Sequence, residues 1–550
     1  MRPRAAAALV MLAACGGGHT NTPSPAALPK SRAQLTNYTE TSTYADVVKF
    51  LDSLHTLGVP MVRTNLGTSP EGRAIPMVIL SRPLVRTPAE ARALGRPIVW
   101  VQANIHAGEV EGKEAMLAMI RDLTTADIPS LLDSIVLIAV PIYNTDGNEK
   151  FAAQSVNRTE QNGPEMVGQR ANGQGLDLNR DYVKAEAPET RASLAAMTRW
   201  DPDLFMDLHT TDGSFHGYAL TYAPSLSPDA LFGGKYAVDS LLPAVRRVMQ
   251  EKHHYATYDY GNFAIEYGAD VNADTVKQGW FTYDSRPRFG TNYVGIRGRI
   301  AVLAEGYSHD PFERRVNSMY WFVREVLTYV ASHAQTIRDL SAHADAMVTA
   351  WGRAPESAPK LSLRSTLARS PLEDTVIAED LAKTGDSVRT QPGVPIGLRR
   401  TGHMRAQLMP VWVTFEPTLT RTLPFAYAIP AADTAALRVL SEHGVQMQAT
   451  VKPWAVSAQL FALDSVKHAE RPFQGHHETS VAGRWRDSTL TLPAGTTVVY
   501  TAQPLGLVAF YLLEAESDDG LVTWNFFDAS LAPGGFFPVA RIPAAQGGTR

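Results

Sequence analysis

His106 and Glu109, in His106-Ala107-Gly108-Glu109, place an imidazole and a carboxylate close enough in sequence to meet one cation. By itself the pair carries little weight. With 15 histidines in the chain, on the order of one chance His-x-x-Glu is expected. What adds weight is a second imidazole, His209, at the end of the apolar run Leu204-Phe205-Met206-Asp207-Leu208. A sheet that ends both segments at one edge would gather two imidazoles and a carboxylate, a zinc set with an open fourth position. Zinc held in that way lowers the pKa of its water to about 7 and polarises a carbonyl. Such chemistry needs a base, and Glu305 closes a further apolar run, Ile300-Ala301-Val302-Leu303-Ala304. In Gly175-Leu176-Asp177-Leu178-Asn179-Arg180 an amide and a guanidinium lie side by side, suited to a bidentate grip on a carboxylate. Cys15 is the only cysteine, which excludes a disulfide framework, an iron–sulfur cluster and a thiolate-ligated zinc.

These residues need strands whose ends coincide. Short β-branched runs at Pro97 to Gln102, Ser134 to Tyr143, Asp203 to His209 and Arg299 to Glu305 read as buried strands. Apolar residues at three- and four-residue spacing predict helices over Ala115 to Leu123 and Ser318 to Ala331. The expectation is an α/β domain with a mostly parallel or mixed sheet flanked by helices, its ligand site at strand C-terminal ends. It spans 35–345. Residues 346–550 read as β-rich and accessory, with one helix at Ala431 to His443 stopped by Gly444 and late strands at Val508 to Leu513 and Leu521 to Phe527. Between those strands, Ser517-Asp518-Asp519-Gly520 reads as a turn. The 550 residues allow about three or four domains, and 45% hydrophobic with 19% charged residues is ordinary globular usage. A net charge of −4 leaves no basic field for nucleic acid.

Met1-Arg2-Pro3-Arg4, an apolar stretch to Ala14 and Leu12-Ala13-Ala14-Cys15 read as a signal peptide (1–14) ending in a sequence that resembles a bacterial lipobox. Cys15 would then carry the lipid, and 15–34, rich in Gly, Pro and Ser, would tether the body. The expected place is the bacterial cell envelope, lipid-anchored to a membrane and facing the periplasm or cell surface.

Over roughly residues 37 to 340 the sequence resembles the zinc carboxypeptidases, the metallocarboxypeptidase family. Gly67-Thr68-Ser69-Pro70-Glu71-Gly72-Arg73 is similar to the family's early signature, and Asn144-Thr145-Asp146-Gly147 to its Asn-x-Asp-Gly turn. His106, Glu109, the Gly175 to Arg180 element and His209 follow in the family's order. The resemblance implies one Zn2+ per chain on His106, Glu109 and His209, with Glu305 as general base. It also implies that Asn179 and Arg180 bind the terminal carboxylate of a peptide with a free C-terminus. Arg170 takes the oxyanion arginine's place, with Arg158 as the alternative, and Asp177 that of the carboxylate orienting a ligand imidazole. The substrate-capping tyrosine is Tyr283 or Tyr293. One departure is Gly108, where digestive members carry an arginine that helps bind substrate. Arg286 and Arg288 hint at acidic side chains in the specificity pocket. Two rival readings stand beside this one: an N-acyl-amino-acid amidohydrolase of the aspartoacylase and desuccinylase type, and a non-catalytic peptide-binding lipoprotein.

Overall fold

A computed structural model of the chain describes residues 28–125, 129–264 and 278–546, so Cys15 and the segment read as a signal peptide lie outside the described residues. The N-terminal domain is built on eight strands: β1 (Val62–Thr68), β2 (Ala74–Leu80), β3 (Ile98–Ala103), β4 (Val136–Val140), β5 (Leu204–Thr210), β6 (Leu220–Pro224), β7 (Thr257–Asp259) and β8 (Ile300–Gly306). Their spatial order is β1-β2-β4-β3-β5-β8-β6-β7. The four central strands β4, β3, β5 and β8 run parallel, while β2 and β6 flank them antiparallel. The sheet is thus the mixed α/β arrangement that the apolar runs predict. Those runs lack alternation because the central strands are buried on both faces.

Each face has its own helical cover. In chain order the main helices are α1 (Tyr44–Thr56), α2 (Glu111–Thr125), α3 (Pro188–Trp200), α4 (Leu242–His253), α5 (Gly290–Ile296), α6 (Phe312–Ser332) and α7 (Ala334–Arg353), with α8 (Thr434–Glu442) and α9 (Gly506–Leu513) further on. Val99, Val101, Met206 and Val302 pack with α1, α2, α4 and α6. Trp100, Ile138, Phe205 and Ala301 face the other way, toward α3 and α5. On that second face the buried cluster continues without a break into Tyr427, Phe461, Val508 and Phe537 of the C-terminal portion.

After α7 the chain is rich in strands, as its composition suggests. Its largest sheet has six, including the long hairpin Trp454–His468 and Thr479–Leu492. Gly444, at φ 81°, follows α8 as the sequence predicts. The two late strands are not there. Residues 506–513 form α9, buried over its whole length, and 521–527 are turns packed in the same core. A helix covered on every side has no polar face, so its sequence loses the periodicity that separates helix from strand. Asp519, read as part of an ordinary turn, is fully buried and paired with Arg288.

Candidate active site

The β3–α2 connection begins with Asn104 in a left-handed conformation (φ 65°), which asparagine tolerates better than most side chains. Its Nδ2 donates to the carbonyls of Ala107 and Glu109, 3.2 Å each, and Glu109 N donates to His106 O. The turn so formed brings His106 Nδ1 to 3.0 Å from Glu109 Oε1. Helix α2 starts only at Glu111, so both residues sit on the loop before it.

Parallel pairing supplies the rest. His209 in β5 and Glu305 in β8 are register partners on adjacent strands. His209 Nδ1 stands 2.9 Å from Glu109 Oε2 and 3.2 Å from His106 Nδ1. One donor atom from each of His106, Glu109 and His209 falls within 4.8 Å of the others, and all three residues are buried. Two imidazole nitrogens this close repel unless a proton or a cation lies between them. The opposite nitrogens meet carboxylates: His106 Nε2 is 3.1 Å from Asp177 Oδ1, and His209 Nε2 is 3.2 Å from Asp207 Oδ2. At His106 the Asp177 carboxylate holds the proton on Nε2 and leaves the Nδ1 lone pair for an ion, while Asp207 faces His209 Nε2 at ion-pair distance. The residues therefore fit zinc.

The electrostatics follow from burial and crowding. Burial alone would raise Glu109, but the charges of His106 and Arg158, with hydrogen bonds from both imidazoles, hold it well below the usual carboxylate range. Burial raises Glu305 well above that range, helped by the negative Glu109 and Asp212 and opposed by His209. The Glu305 carboxylate makes no hydrogen bond among the described residues.

A cavity of about 230 Å³ joins these groups to Arg170, Asn179, Arg180, Asp212, Tyr260, Tyr283, Phe289 and Leu303. Gly290 N donates to Asn179 Oδ1 (2.9 Å), which fixes the amide and leaves Nδ2 unspent among the described residues. The Arg180 guanidinium lies 4.0 Å over Phe289 and donates to its neighbour's carbonyl, Asn179 O, with no carboxylate at ion-pair distance among the described residues. Burial lowers its pKa, and the nearby guanidiniums of Arg170 and Arg288 add to this against the opposing Asp177.

Of the two candidate oxyanion arginines, Arg170 lines the cavity, held by Asp177 Oδ2 at 2.9 Å. Arg158 is buried behind Glu109, donating to its Oε1 (2.9 Å) and to the carbonyls of Thr210 and Thr211. Its side chain fills the space a Cβ on Gly108 would need, at 2.7 Å, so no side chain fits there without a shift. Of the two tyrosines, Tyr283 lines the cavity and pairs with Thr291 Oγ1 at 2.8 Å. Tyr293 does not reach it: α5 turns its hydroxyl into the core, where it meets His443 Nδ1 at 2.8 Å. The hint of acidic specificity fails on similar grounds. Arg286 is held by Asp284, and Arg288 by Asp519 and Glu478.

The motifs outside the cavity brace it. Asn144 caps the helix Thr145–Glu149 and its Nδ2 reaches the carbonyls of Ile105 and Arg170, 3.1 Å each. Asp146 accepts from Ser69 Oγ, Glu71 N and Arg73 Nη1, tying the early signature to the same turn. Sequence reasoning missed Phe289 and Leu303, which carry no chemical signal of their own. Tyr260 forms the wall to a second cavity of about 470 Å³ between α4 and β6, among whose lining residues there is no metal-donor set.

A mixed α/β sheet delivering a His-Glu-His donor set and two cationic side chains to one edge defines a metallohydrolase. Residues 47–289 match the zinc carboxypeptidase family model, and the N-terminal domain belongs to that family of peptide hydrolases. Among curated relatives, a "Carboxypeptidase 2" of Trichophyton tonsurans is 23% identical over 500 residues, covering 86% of this chain and 81% of its own. One of Trichophyton rubrum is 22% identical over 507 residues, with coverages of 86% and 81%. Both matches extend well past the family segment. Among solved structures, a metallo-carboxypeptidase from Pseudomonas aeruginosa is 21% identical, covering 55% of this chain and 70% of its own, with a TM-score of 0.38. Carboxypeptidase A from Helicoverpa armigera is 16% identical, with coverages of 56% and 77% and a TM-score of 0.39.

Proposed function

We propose that this chain is a zinc-dependent exopeptidase that removes residues from the free C-termini of peptides. The observation that carries the reading is the donor pair Asn179 Nδ2 and the half-buried Arg180 guanidinium, without a carboxylate at ion-pair distance among the described residues, in one cavity with the His-Glu-His set. An internal peptide bond offers no anion to that pair, whereas a terminal carboxylate does. His106, Glu109 and His209 would hold zinc, which supplies a water that is nucleophilic near neutral pH and polarises the scissile carbonyl. Glu305, at its carboxylate oxygens, takes the proton of the attacking water and returns it to the leaving amine. Arg170 faces the carbonyl oxygen as negative charge builds there. Tyr283, Phe289 and Leu303 wall the terminal side chain.

The test is mass spectrometry of a peptide library incubated with the zinc-loaded protein. Ladders shortening from the C-terminus, absent for C-amidated copies of the same peptides, support the reading. Cuts at internal bonds in free and amidated peptides alike would overturn it. Zinc content should be one per chain in the wild type and fall in His106→Ala and His209→Ala, since the remaining donors no longer make a three-ligand site.

The same reading includes lipid attachment at Cys15 and a place at the bacterial envelope, supported by Leu12-Ala13-Ala14-Cys15 and by the absence of any other cysteine. Cys15→Ser should move the protein from the membrane fraction to the soluble one or stall its processing. Wild-type protein found soluble and without lipid mass would remove this part.

A further inference from the structure

The tip of the long C-terminal hairpin lies against the catalytic domain. Gln474 and Gly475 take consecutive left-handed conformations, φ 50° and 82°, unfavourable for a glutamine and kept here by the contacts around it. His476 anchors the turn, with Nε2 3.0 Å from Glu186 Oε1 and Nδ1 2.9 Å from Asn525 Oδ1. Gln474 Oε1 then accepts from the backbone N–H of Asp177 at 2.9 Å, 297 positions away in the chain. Asp177 is the hub of the site. Its Oδ1 meets His106 Nε2 at 3.1 Å and accepts from Asn179 N at 2.9 Å, while its Oδ2 holds Arg170 Nε at 2.9 Å. A second arm comes from Asp519, whose Oδ1 binds Arg288 Nε at 2.8 Å; two residues on, Gly290 N fixes the amide of Asn179.

We propose that Gln474 of the C-terminal domain is a positioning residue of the active site. By clamping the Asp177 backbone it sets the carboxylate that orients a metal-binding imidazole and the turn that presents Asn179 and Arg180. The C-terminal domain thereby completes a site whose reacting groups all lie in the other domain. The inference rests on the exopeptidase reading for its substrate arm and on the donor set alone for its metal arm.

The experiment compares the full-length wild type with Gln474→Ala, Gln474→Glu and His477→Ala. His477 is on the same turn, but among the described residues its side chain bonds only within the hairpin, to Ala469 O at 2.8 Å. Each protein is loaded with zinc, and zinc release into excess chelator is followed alongside kcat, KM and Tm. Supporting partners of metal ligands are typically worth 10- to 100-fold, so one step further out Gln474→Ala should release zinc about tenfold faster. Its kcat/KM should fall about tenfold, with KM carrying the larger part because Asn179 and Arg180 lose their register. Gln474→Glu, which keeps an acceptor at the same reach, should recover most of the zinc retention, and His477→Ala should match the wild type. Wild-type zinc release in a folded Gln474→Ala overturns the proposal, as does an equal loss in His477→Ala. If the wild type trims no C-termini, the exopeptidase reading falls and the zinc-release comparison decides on Gln474 by itself.

Discussion

Glu305 is buried and Arg180 half-buried, and they ask for different experiments because one moves a proton and the other holds a charge. Glu305 makes no hydrogen bond among the described residues and is the register partner of His209, so its oxygens are free to meet a water at the metal set. Glu305→Gln keeps shape but cannot accept that proton. Turnover should fall by about 10²- to 10⁴-fold while zinc stays at one per chain, read from steady-state kinetics beside metal analysis. Near-normal turnover in the zinc-loaded variant would remove Glu305 from the chemistry. For Arg180, the loss is of binding energy. A carboxylate left without its guanidinium at this cavity wall loses a charge-assisted pair, at a cost on the order of 2 kcal/mol. At 1.4 kcal/mol per factor of ten, Arg180→Ala should lose roughly 30-fold or more in kcat/KM. Amidating the peptide should cost the wild type a similar factor. Both changes remove the same ion pair, so in combination they should not add. Additive losses would show that Arg180 acts on something other than the terminal carboxylate.

At the scale of elements, the site is a product of where strands stop, and that is what the sequence shows best. Apolar runs ending in His209 and Glu305 are visible because parallel strands buried on both faces leave unbroken hydrophobic stretches, and a polar residue at their ends stands out. The parallel register that makes these two residues neighbours is consistent with the runs but not written in them. Less legible was anything that depends on distant packing. The family resemblance offers both Tyr283 and Tyr293, and the orientation of α5, which aims Tyr293 at His443, separates them. Gln474 reaches Asp177 across 297 positions and leaves no local pattern at all. Gly108 shows the same dependence in a form open to test. Its place in the turn between His106 and Glu109 was readable as a departure from arginine, but the reason is the Arg158 side chain packed at 2.7 Å from where a Cβ would lie, with Gly168 O at 2.8 Å. Gly108→Ala must push Arg158 or the Gly168 backbone aside. Because Arg158 is bonded to Glu109 Oε1, the displacement reaches a metal donor. The variant should lose about 1–3 kcal/mol of stability, as overpacked sites do, and should hold zinc more weakly in a chelator competition. Unchanged stability and zinc affinity would mean that Arg158 has room to yield and does not brace Glu109.

For the molecule as a whole, the seam between the two portions is a continuation of one core, and a histidine sits in it. His443, at the end of α8, is fully buried; its Nδ1 meets Tyr293 OH at 2.8 Å and its Nε2 meets Val183 O at 2.9 Å, both across the seam. Burial lowers its pKa from the ordinary 6.5 to about 4, the nearby Arg297 adding to this and the bond to Val183 opposing it. The sign of the consequence is fixed by linkage. Below about pH 6.5 the unfolded chain takes up a proton on this histidine, while the folded chain refuses it until about pH 4. Between those values the unfolded state holds more protons, so stability falls as the pH falls; above 6.5 neither state binds and the contribution is flat. The loss approaches about 1.4 kcal/mol per pH unit, or about 2 kcal/mol between pH 7 and pH 5. His443→Gln removes the titrating group. That variant should be less stable than the wild type at pH 7, where it loses part of the seam's hydrogen bonding. On going to pH 5 it should lose about 2 kcal/mol less than the wild type does, so that the gap narrows. Denaturant unfolding of both proteins at the two pH values, stripped of metal so that zinc binding does not titrate in the same range, reads the difference directly. Parallel pH profiles for the two proteins would show that His443 takes up its proton in the folded state at an ordinary pH, and that the seam is open enough to hydrate it.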